Sequence, residues 1–337
     1  MHISVVIPTC NRKQRLLALL RSLQYSSYPL LEVIVVDSGE DRLLPADYAI
    51  FKNLAIKYIG SERSVCIQRN EGIRRAGGEW IFLCDDDMEV PPDYIQKLSR
   101  HAVAHPEAGA ISGRVLQKEA DTWTATYPVT SGFQLMWKFI FQLGIWGEID
   151  CAGTNGITRK ITDYYKRKGN HISKAGWPVL TDFSGDFSVI PLYTLGASLI
   201  KKEWLLRAPY DEVLDRHGIG DNYGVAMDFP SPIHLVNAAF VYHHREPADR
   251  LERPLQYYRR VTAMDYFVRT KPVLKHVKRS RILWSLLGNT LSSLRAGDIA
   301  MARASLKTIT NIACNNNPYY QAGKNGQRIT EPLLYKL

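Results

Sequence analysis

Short apolar runs alternate with amphipathic segments through the first third of the chain. Four of the runs have the length and composition of buried strands: HISVVIPT, LEVIVVDSG, EWIFLC and AGAISGRV. Segments with apolar residues at helical spacing lie between them, namely RKQRLLALLRSLQ, SVCIQRNEGIRRAGG and PPDYIQKLSRHAVAH; the prolines of the last are typical of a helix start. The alternation predicts an α/β fold with a mostly parallel sheet flanked by helices.

Polar side chains follow several of these predicted strands at the point where each strand ends. Thr9 and Asn11 follow the first strand, Asp37 ends the second, and the triplet Asp85–Asp87 follows EWIFLC. Ligands of open α/β sheets bind beyond the carboxyl ends of the strands. We therefore expect these side chains to converge on one site.

The triplet concentrates negative charge directly after an apolar strand. Burying a carboxylate without a partner is costly, so a site here needs a positive partner. The turn PTCNR contains no glycine, and neither a G-x-G-x-x-G nor a Walker A pattern is present. A nucleotide whose phosphates are carried by a divalent cation fits this pattern. The alternatives are a solvated turn for the triplet, turn formation by Pro8 and Asn11, and helix capping by Asp37.

The segments VVIPTCNR, EVIVVDSG and RNEGIRRAGGEWIFLCDDDMEVPPDYI resemble the N-terminal half of family 2 nucleotide-diphosphate-sugar glycosyltransferases, which have the Rossmann-like GT-A fold. The resemblance implies that the turn from Pro8 through Thr9 to Asn11, together with Asp37, holds the nucleotide base, and that Arg69 and Asn70 lie near the nucleotide. The triplet stands at the position of the family's DXD motif. This implies a Mn²⁺ or Mg²⁺ ion bound by Asp87 and Asp85, with Asp85 or Asp86 on the ribose, although Cys84 stands where the family usually has an aspartate.

A later block, YTLGASLIKKEWLLRAPYDEVLDRHGIGDNYGVAMDF, resembles the part of the family that carries the catalytic aspartate, which falls on Asp221. The preceding residue is Gly220, where the family commonly has glutamate. Direct displacement at a sugar carbon needs a general base for the acceptor hydroxyl, so Asp221 as the base implies inversion of configuration. The alternative is that Asp221 caps the helix NYGVAMDF.

The strand NAAFVYHHREP ends in two histidines, and the first resembles the family's C-terminal metal-binding histidine. Imidazole is a reasonable ligand for Mn²⁺ beside carboxylates, so His243 joins the expected metal site. Adjacent residues of an extended strand point in opposite directions. Both histidines are therefore not expected in one site, and an outward-facing histidine is the alternative.

The resemblance and the composition together predict three regions. Residues 1–115 form the donor-binding half and residues 116–245 the acceptor-binding and catalytic half of one GT-A domain, followed by a basic helical C-terminal extension and tail over 246–337. An inserted aromatic-rich segment, 116–190, provides either an acceptor platform or buried core. The polar tail CNNNPYYQAGKNGQRITEP is expected to be loose.

The net charge of +10 comes mostly from the C-terminal part, where residues 245–307 hold 14 Lys and Arg against 5 Asp and Glu. No nucleic-acid-binding signature accompanies this charge, so we expect no nucleic acid partner. Basic and apolar residues alternate at helical spacing over 269–295. This indicates either an interfacial helix on anionic lipid or a basic helix packed on its own domain. Five scattered cysteines without CxxC pairs, and the absence of a signal peptide pattern, favour a cytoplasmic protein, alone or in peripheral contact with the inner face of the membrane.

We therefore expect a metal-dependent, inverting glycosyltransferase of polysaccharide biosynthesis. It would transfer a sugar from a nucleotide-diphosphate-sugar to a hydroxyl of a glycan or lipid-linked acceptor. One alternative is a nucleotidyltransferase of similar fold, although the first turn lacks that class's Gly-rich loop. A non-catalytic binding relative is the other.

Overall fold

A computed structural model describes residues 1–151, 156–244 and 251–330. It contains thirteen strands within these ranges: β1 (Ile3–Thr9), β2 (Glu32–Asp37), β3 (Ile56–Gly60), β4 (Trp80–Cys84), β5 (Met88–Glu89), β6 (Ala110–Glu119), β7 (Thr122–Thr124), β8 (Ile145–Trp146), β9 (His171–Ile172), β10 (Pro178–Leu180), β11 (Phe187–Ile190), β12 (Ala197–Lys201) and β13 (Ile233–His243).

Twelve α-helices accompany these strands in the described ranges: α1 (Lys13–Leu23), α2 (Pro45–Tyr48), α3 (Val65–Arg75), α4 (Tyr94–Ala104), α5 (Gly132–Ile140), α6 (Gly156–Lys168), α7 (Lys202–Arg207), α8 (Asp221–Ala226), α9 (Arg253–Thr270), α10 (Arg279–Arg295), α11 (Ile299–Ala313) and α12 (Pro318–Lys324). A short 3₁₀ helix covers Pro272–His276.

The central sheet has the strand order β11-β13-β6-β12-β4-β1-β2-β3. Strands β4, β1, β2 and β3 are parallel, and β13 is parallel to β6, whereas β12 runs antiparallel to both of its neighbours. The α/β fold and its helices and strands in the first third are therefore confirmed. Strands β1, β2 and β4 are buried along their whole length and mostly apolar, because both faces of the sheet are covered there.

Successive residues of β1 and β2 enter different cores. Val6 and Ile34 belong to a core that also contains residues of α8 and α9, whereas Val5 and Val33 pack with the buried faces of α1 and α4. This follows from the two-residue period of a strand. A third, smaller core joins α5 and α6 to the three-stranded sheet β8-β10-β9.

The predicted looseness of the tail is wrong for its described part. Helix α12 begins at Pro318, the ring of Tyr319 is fully buried in the main core, and the amide of Asn317 donates to the Thr262 carbonyl and to Asp265, each at 2.8 Å. A polar, Asn-rich composition did not predict this because a few anchoring residues suffice to fix the segment. Residues 331–337 lie outside the described range.

The aromatic residues of the 116–190 segment are divided between core and surface. Tyr165 is buried, and Trp137, Trp146 and Trp177 are partly buried, while three others are exposed: Trp123, Tyr127 and Tyr164. The buried rings fit the interpretation of this segment as core, and the exposed rings remain available for an acceptor platform.

Candidate functional site

Strands β1 and β2 end at the same level of the sheet. In their parallel register Pro8 lies opposite Val36, and the last residues, Thr9 and Asp37, lie opposite each other. The side-chain amide of Gln68, on α3, donates to the carbonyls of Thr9 and Val36, each at 2.7 Å. This contact satisfies buried main-chain groups where the strands separate. It fixes the edge of the sheet at which the predicted site residues lie.

Asn11 and Asp37 organise the turn after β2. Asn11 has a left-handed backbone (φ 55°), and its side-chain oxygen accepts from the main-chain amides of Glu40 at 2.7 Å and Asp41 at 3.2 Å. Asp37 is buried and accepts from the Gly39 amide at 2.7 Å and from the Tyr58 hydroxyl. Burial and the neighbouring Asp37 carboxylate raise the pKa of Tyr58 above its ordinary value. Tyr58 therefore remains a neutral donor.

Asp86 points inward from the triplet. It accepts from the Thr9 hydroxyl at 2.7 Å and from the Arg12 guanidinium at 3.0 Å. Burial raises the pKa of Asp86 to about 6, although the nearby Arg12 charge acts in the opposite direction. Arg12 was absent from the sequence prediction, although it ends the quoted PTCNR turn, because an arginine after a strand has many possible partners.

Asp87 and His243 meet through the pairing of two short strand ends. Strand β5 pairs antiparallel with β13, so that Met88 lies opposite His243, and the Asp87 carboxylate oxygen lies 3.2 Å from His243 Nε2. Arg12 also lies 3.4 Å from Asp87. His244 points elsewhere and contacts Glu89 at 2.7 Å. The two histidines therefore diverge, as an extended backbone requires.

Arg69 connects Asp85 with Asp221. Its guanidinium donates to Asp85 at 2.8 Å through one terminal nitrogen and to Asp221 through the other. The other oxygen of Asp221 accepts from the Asn222 amide at 2.6 Å. Burial raises the pKa of Asp221 to about 6 against the lowering effect of Arg69. Residues that are more than 130 positions apart in sequence are thus joined by one side chain.

Two glycines shape the turn that places Asp221 at the start of α8. Gly218 and Gly220 both have positive φ, 57° and 97°. A Cβ on Gly218 would collide with Val65 and would lie 3.3 Å from the Asp221 carboxylate. A side chain at either position would therefore strain the turn. Gly220 is the N-cap residue of α8, and Asp221 is the first helical residue. The alternative in which Asp221 only caps this helix is therefore not supported.

Asn70 is directed to the main chain. Its amide donates to the Tyr210 carbonyl at 2.9 Å and to Glu212 at 3.1 Å, and its oxygen accepts from the Tyr210 amide at 2.9 Å. These contacts tie α3 to the segment that leads to α8. The structure thus gives Asn70 a positioning contact, while its predicted role near the nucleotide stays a prediction.

The donor set fits a divalent cation. Four carboxylates, Asp85, Asp86, Asp87 and Asp221, are accompanied by the two guanidiniums of Arg12 and Arg69, which leaves two negative charges when all are ionised. Carboxylate oxygen with one imidazole nitrogen is a combination that suits Mn²⁺. The atoms that could hold the cation are those of Asp87, Asp85 and His243.

The first part of the chain is similar in sequence to known proteins. Residues 4–163 match the sequence profile described as Glycosyl transferase family 2. An uncharacterized glycosyltransferase of Bacillus subtilis, YwdF, is 34% identical over 102 residues, which is 30% of this chain and 38% of the relative. Three curated relatives are matched over 38%, 37% and 41% of their length, so the chain spans about two fifths of each.

Solved structures share the fold. The crystal structure of residues 1–349 of S. aureus TarS has a TM-score of 0.53 at 13% identity, covering 97% of this chain and 92% of that one. The mannosyltransferase PcManGT from Pyrobaculum calidifontis, in complex with GDP-Man and Mn²⁺, has a TM-score of 0.52 at 14% identity and covers 94% and 86% of the two chains. At these identities the likeness establishes the GT-A fold alone. Separately, each helix in the described ranges is too short or too polar to cross a bilayer.

Proposed function

We propose that this chain, whose residues 4–163 match the profile described as Glycosyl transferase family 2, transfers a sugar from a nucleotide-diphosphate-sugar to a hydroxyl acceptor. The proposed reaction depends on a divalent cation and inverts the configuration of the transferred sugar. The observation that carries the proposal is the contact of Arg69 with both Asp85 and Asp221. It puts a candidate base within one side chain's reach of the candidate cation site.

The donor is proposed to lie along the carboxyl edge of β1, β2 and β4. Residues Pro8, Thr9, Asn11 and Asp37 surround the base-binding position, and Asp85 faces the ribose or the cation. Asp85 supports this role because its side chain is 32% exposed, against 6% for Asp86, which is already bonded by Thr9 and Arg12. We therefore assign Asp86 to holding the turn and Asp85 to ligand contact.

The cation is proposed to be Mn²⁺ or Mg²⁺, held by Asp87, Asp85 and His243. When bound, it would neutralise charge on the departing nucleoside diphosphate. Arg12 and Arg69 hold the carboxylates in place on either side. Their positive charges also limit the electrostatic repulsion among the three carboxylates of the triplet.

Asp221 is proposed as the general base. The Asn222 amide and Arg69 fix its two oxygens, so its orientation is set before an acceptor arrives. A carboxylate whose pKa is raised to about 6 accepts a proton more readily than an ordinary one and is still ionised at pH 7. Attack by one activated hydroxyl, without a covalent intermediate, inverts the sugar carbon.

The acceptor is proposed to approach from the side of the 116–245 region. Exposed Trp123 supports this because its ring lies 5.5 Å from that of His244 and 4.8 Å from that of Tyr242, beside the strand end that carries His243. Aromatic rings stack on the C–H faces of sugars. The division at residues 115 and 245 remains part of this proposal.

A substitution at Asp221 tests the assignment. Asp221→Asn preserves the shape of the side chain and removes its ability to take a proton, so we expect kcat to fall by about 10²-fold or more while donor affinity persists. The measurement is transfer and hydrolysis across a panel of nucleotide-sugars with Mn²⁺ or Mg²⁺, with the anomeric configuration of the product determined. Asp228→Asn, near the end of α8 and paired with Lys271, is the matched control.

Transfer at the wild-type rate by Asp221→Asn would refute the base assignment, and a product of retained configuration would refute inversion. A wild-type chain that binds a donor and transfers it to no acceptor or water would favour the non-catalytic relative. A thermal melt of both variants separates loss of chemistry from loss of folding.

We also propose that the chain contacts anionic membrane through helices α5 and α10. An apolar patch is formed there by exposed residues: Phe133, Ile140, Trp284, Leu287, Leu291 and Leu294. The two helices are joined by hydrogen bonds from Trp284 to the Ile140 carbonyl at 2.9 Å and from Trp137 to Ser292 at 2.8 Å. A cavity of about 340 Å³, between α5 and α6, adjoins the patch at Ile140.

Basic side chains accompany this apolar patch. Arg295 lies 4.7 Å from the Phe133 ring, and Lys160 lines the adjoining cavity. Apolar side chains with basic neighbours are the combination that binds the interface of an anionic bilayer. The other face of α10, including Ile282 and Leu286, is buried in the main core. This face fits the alternative of a helix packed on its own domain, and the exposed face fits the alternative of an interfacial helix.

A further inference from the structure

Three histidines come together at the end of the sheet remote from the carboxylates. His101 lies in the last turn of α4, His105 is the C-cap residue that follows this helix, and His234 lies at the start of β13. One possible ligand nitrogen from each lies within 4.8 Å of the others, and His101 Nε2 is 2.9 Å from His234 Nδ1. The His105 amide donates to the His101 carbonyl at 2.9 Å, and the two imidazole rings lie 4.3 Å apart.

This cluster is separate from the site of the triplet. His234 pairs with Ile111 and His243 with Gln117 in the register of β13 and β6. Six residue steps along β6 therefore divide them, which is about 20 Å at 3.3 Å per residue. The cluster and the proposed active-site cation use opposite ends of one strand.

Aromatic packing holds the imidazoles of His101 and His234 in a fixed arrangement. The ring of Phe187 stacks on His234 at 4.5 Å and also lies 4.9 Å from His101, on which it packs edge-on. Burial and the two neighbouring histidines lower the pKa of His101 to about 4, so it stays unprotonated at neutral pH. A neutral imidazole has a lone pair available for a metal.

The geometry is close to that of a bound ion. Zn–N bonds of about 2.1 Å in a tetrahedral site place the ligand nitrogens about 3.4 Å apart. The separation of His101 Nε2 from His234 Nδ1 is 2.9 Å, and the three ligand nitrogens lie within 4.8 Å of one another, a range that includes this value. A bound ion would replace the hydrogen bond between those two nitrogens. Glu107 lies 3.3 Å from His105 Nδ1, where a carboxylate can orient a ligating imidazole through its other nitrogen.

We propose that His101, His105 and His234 form a binding site for a divalent transition metal of the zinc type, with a water molecule as a fourth ligand. The ion would join α4 to the start of β13. Helix α4 begins shortly after the triplet. The metal would therefore fix the C-terminal end of this helix, which is the end farther from the triplet. The inference does not depend on the proposed sugar transfer.

A direct test uses the full chain without a histidine tag, in excess Mg²⁺ to occupy the proposed active-site cation position. Zn²⁺ is titrated calorimetrically, and Co²⁺ is used as a probe because tetrahedral nitrogen coordination gives it intense visible absorption. We expect one tight equivalent and a rise in Tm with added Zn²⁺. His105→Asn, at a partly exposed position, is expected to weaken Zn²⁺ binding at least about 10-fold.

Two controls make the outcome decisive. His276→Asn, at an exposed histidine of the 3₁₀ helix, and Asp87→Asn, in the triplet, should both retain the tight equivalent. A wild-type chain without tetrahedral Co²⁺ absorption would overturn the proposal whatever the variants do. Unchanged Zn²⁺ affinity in a folded His105→Asn, or its loss in Asp87→Asn, would do so too, and the cluster would then be a packing contact with Phe187.

Discussion

Arg69 is the residue that connects the two halves of the proposed chemistry. The planar fork of a guanidinium can bond two carboxylates at once, which a lysine ammonium cannot do with the same geometry. The RN dipeptide was predicted to lie near the nucleotide, but its contact with Asp221 is set by tertiary packing across 152 positions. Sequence reasoning therefore predicted the acidic partners of the site and left out the arginine bridge and Arg12.

The pH dependence of catalysis follows from the raised pKa of Asp221. A base must be ionised to accept a proton, and protonation near pH 6 therefore removes activity below that value. We expect kcat at saturating donor to fall about 10-fold per pH unit well below pH 6 and to be level above it. The residual activity of Asp221→Asn should not show this fall below pH 6.

The raised pKa of Asp86 would act in the same pH range through donor binding. Nucleotide affinity measured across the same pH values separates the two groups, since Asp221 belongs to the chemical step. An acid limb near pH 4, the ordinary range of an aspartate, would contradict the assignment of Asp221.

At the scale of elements, the strands and helices of the first third follow from local pattern because each apolar run is long enough to specify its own type. The docking of β5 on β13 is different. It joins Met88 to His243, and a two-residue strand carries no pattern of its own. The sequence predicted that β13 ends in a histidine near a metal, whereas the partner strand that delivers it to Asp87 became evident only in the fold.

Helix α10 gives the membrane proposal a test at this scale. Leu291→Glu puts a negative charge into the apolar patch, so we expect binding to anionic vesicles to fall several-fold, and wild-type binding to weaken as salt rises. Cosedimentation with anionic and with neutral vesicles is the measurement. Val103→Glu, at a position of α4 that is 74% exposed, is the matched control. Equal wild-type binding to both kinds of vesicle, or to neither, would contradict the proposal.

At the scale of the whole molecule, the C-terminal helices are part of the structure that holds the site. Residues of α9, α10 and α12 share a core with Val6 and Ile34 of the parallel strands. Buried Arg259 of α9 pairs with Asp215 at 3.0 Å, in the segment just before the Gly218 turn. The sequence offered packing of the basic helix on its own domain as one alternative, but it did not predict the packing partners, because they lie in distant parts of the chain.

Tyr319 tests that integration. Its ring is fully buried, and its hydroxyl has no hydrogen-bond partner among the described residues. Tyr319→Ala should lower the free energy of unfolding by about 3–5 kcal/mol, as loss of a large buried ring does. Tyr319→Phe keeps the ring and should change it by much less. Denaturant unfolding of both variants is the measurement, and a loss under 1 kcal/mol for the alanine variant would restore the view of a loose tail.

The central claim is that the triplet binds a nucleoside diphosphate through a divalent cation, and calorimetric titration of Asp87→Asn tests it most directly. In the wild-type chain, one member of a panel of nucleoside diphosphates should bind at least about 10-fold more tightly with Mn²⁺ or Mg²⁺ than with a chelator. Asp87→Asn should lose that difference, because it removes a proposed ligand of the cation. Asp93→Asn, at an exposed position beside α4, should retain it. Metal-independent affinity in the wild type, or unchanged metal dependence in folded Asp87→Asn, would contradict the account.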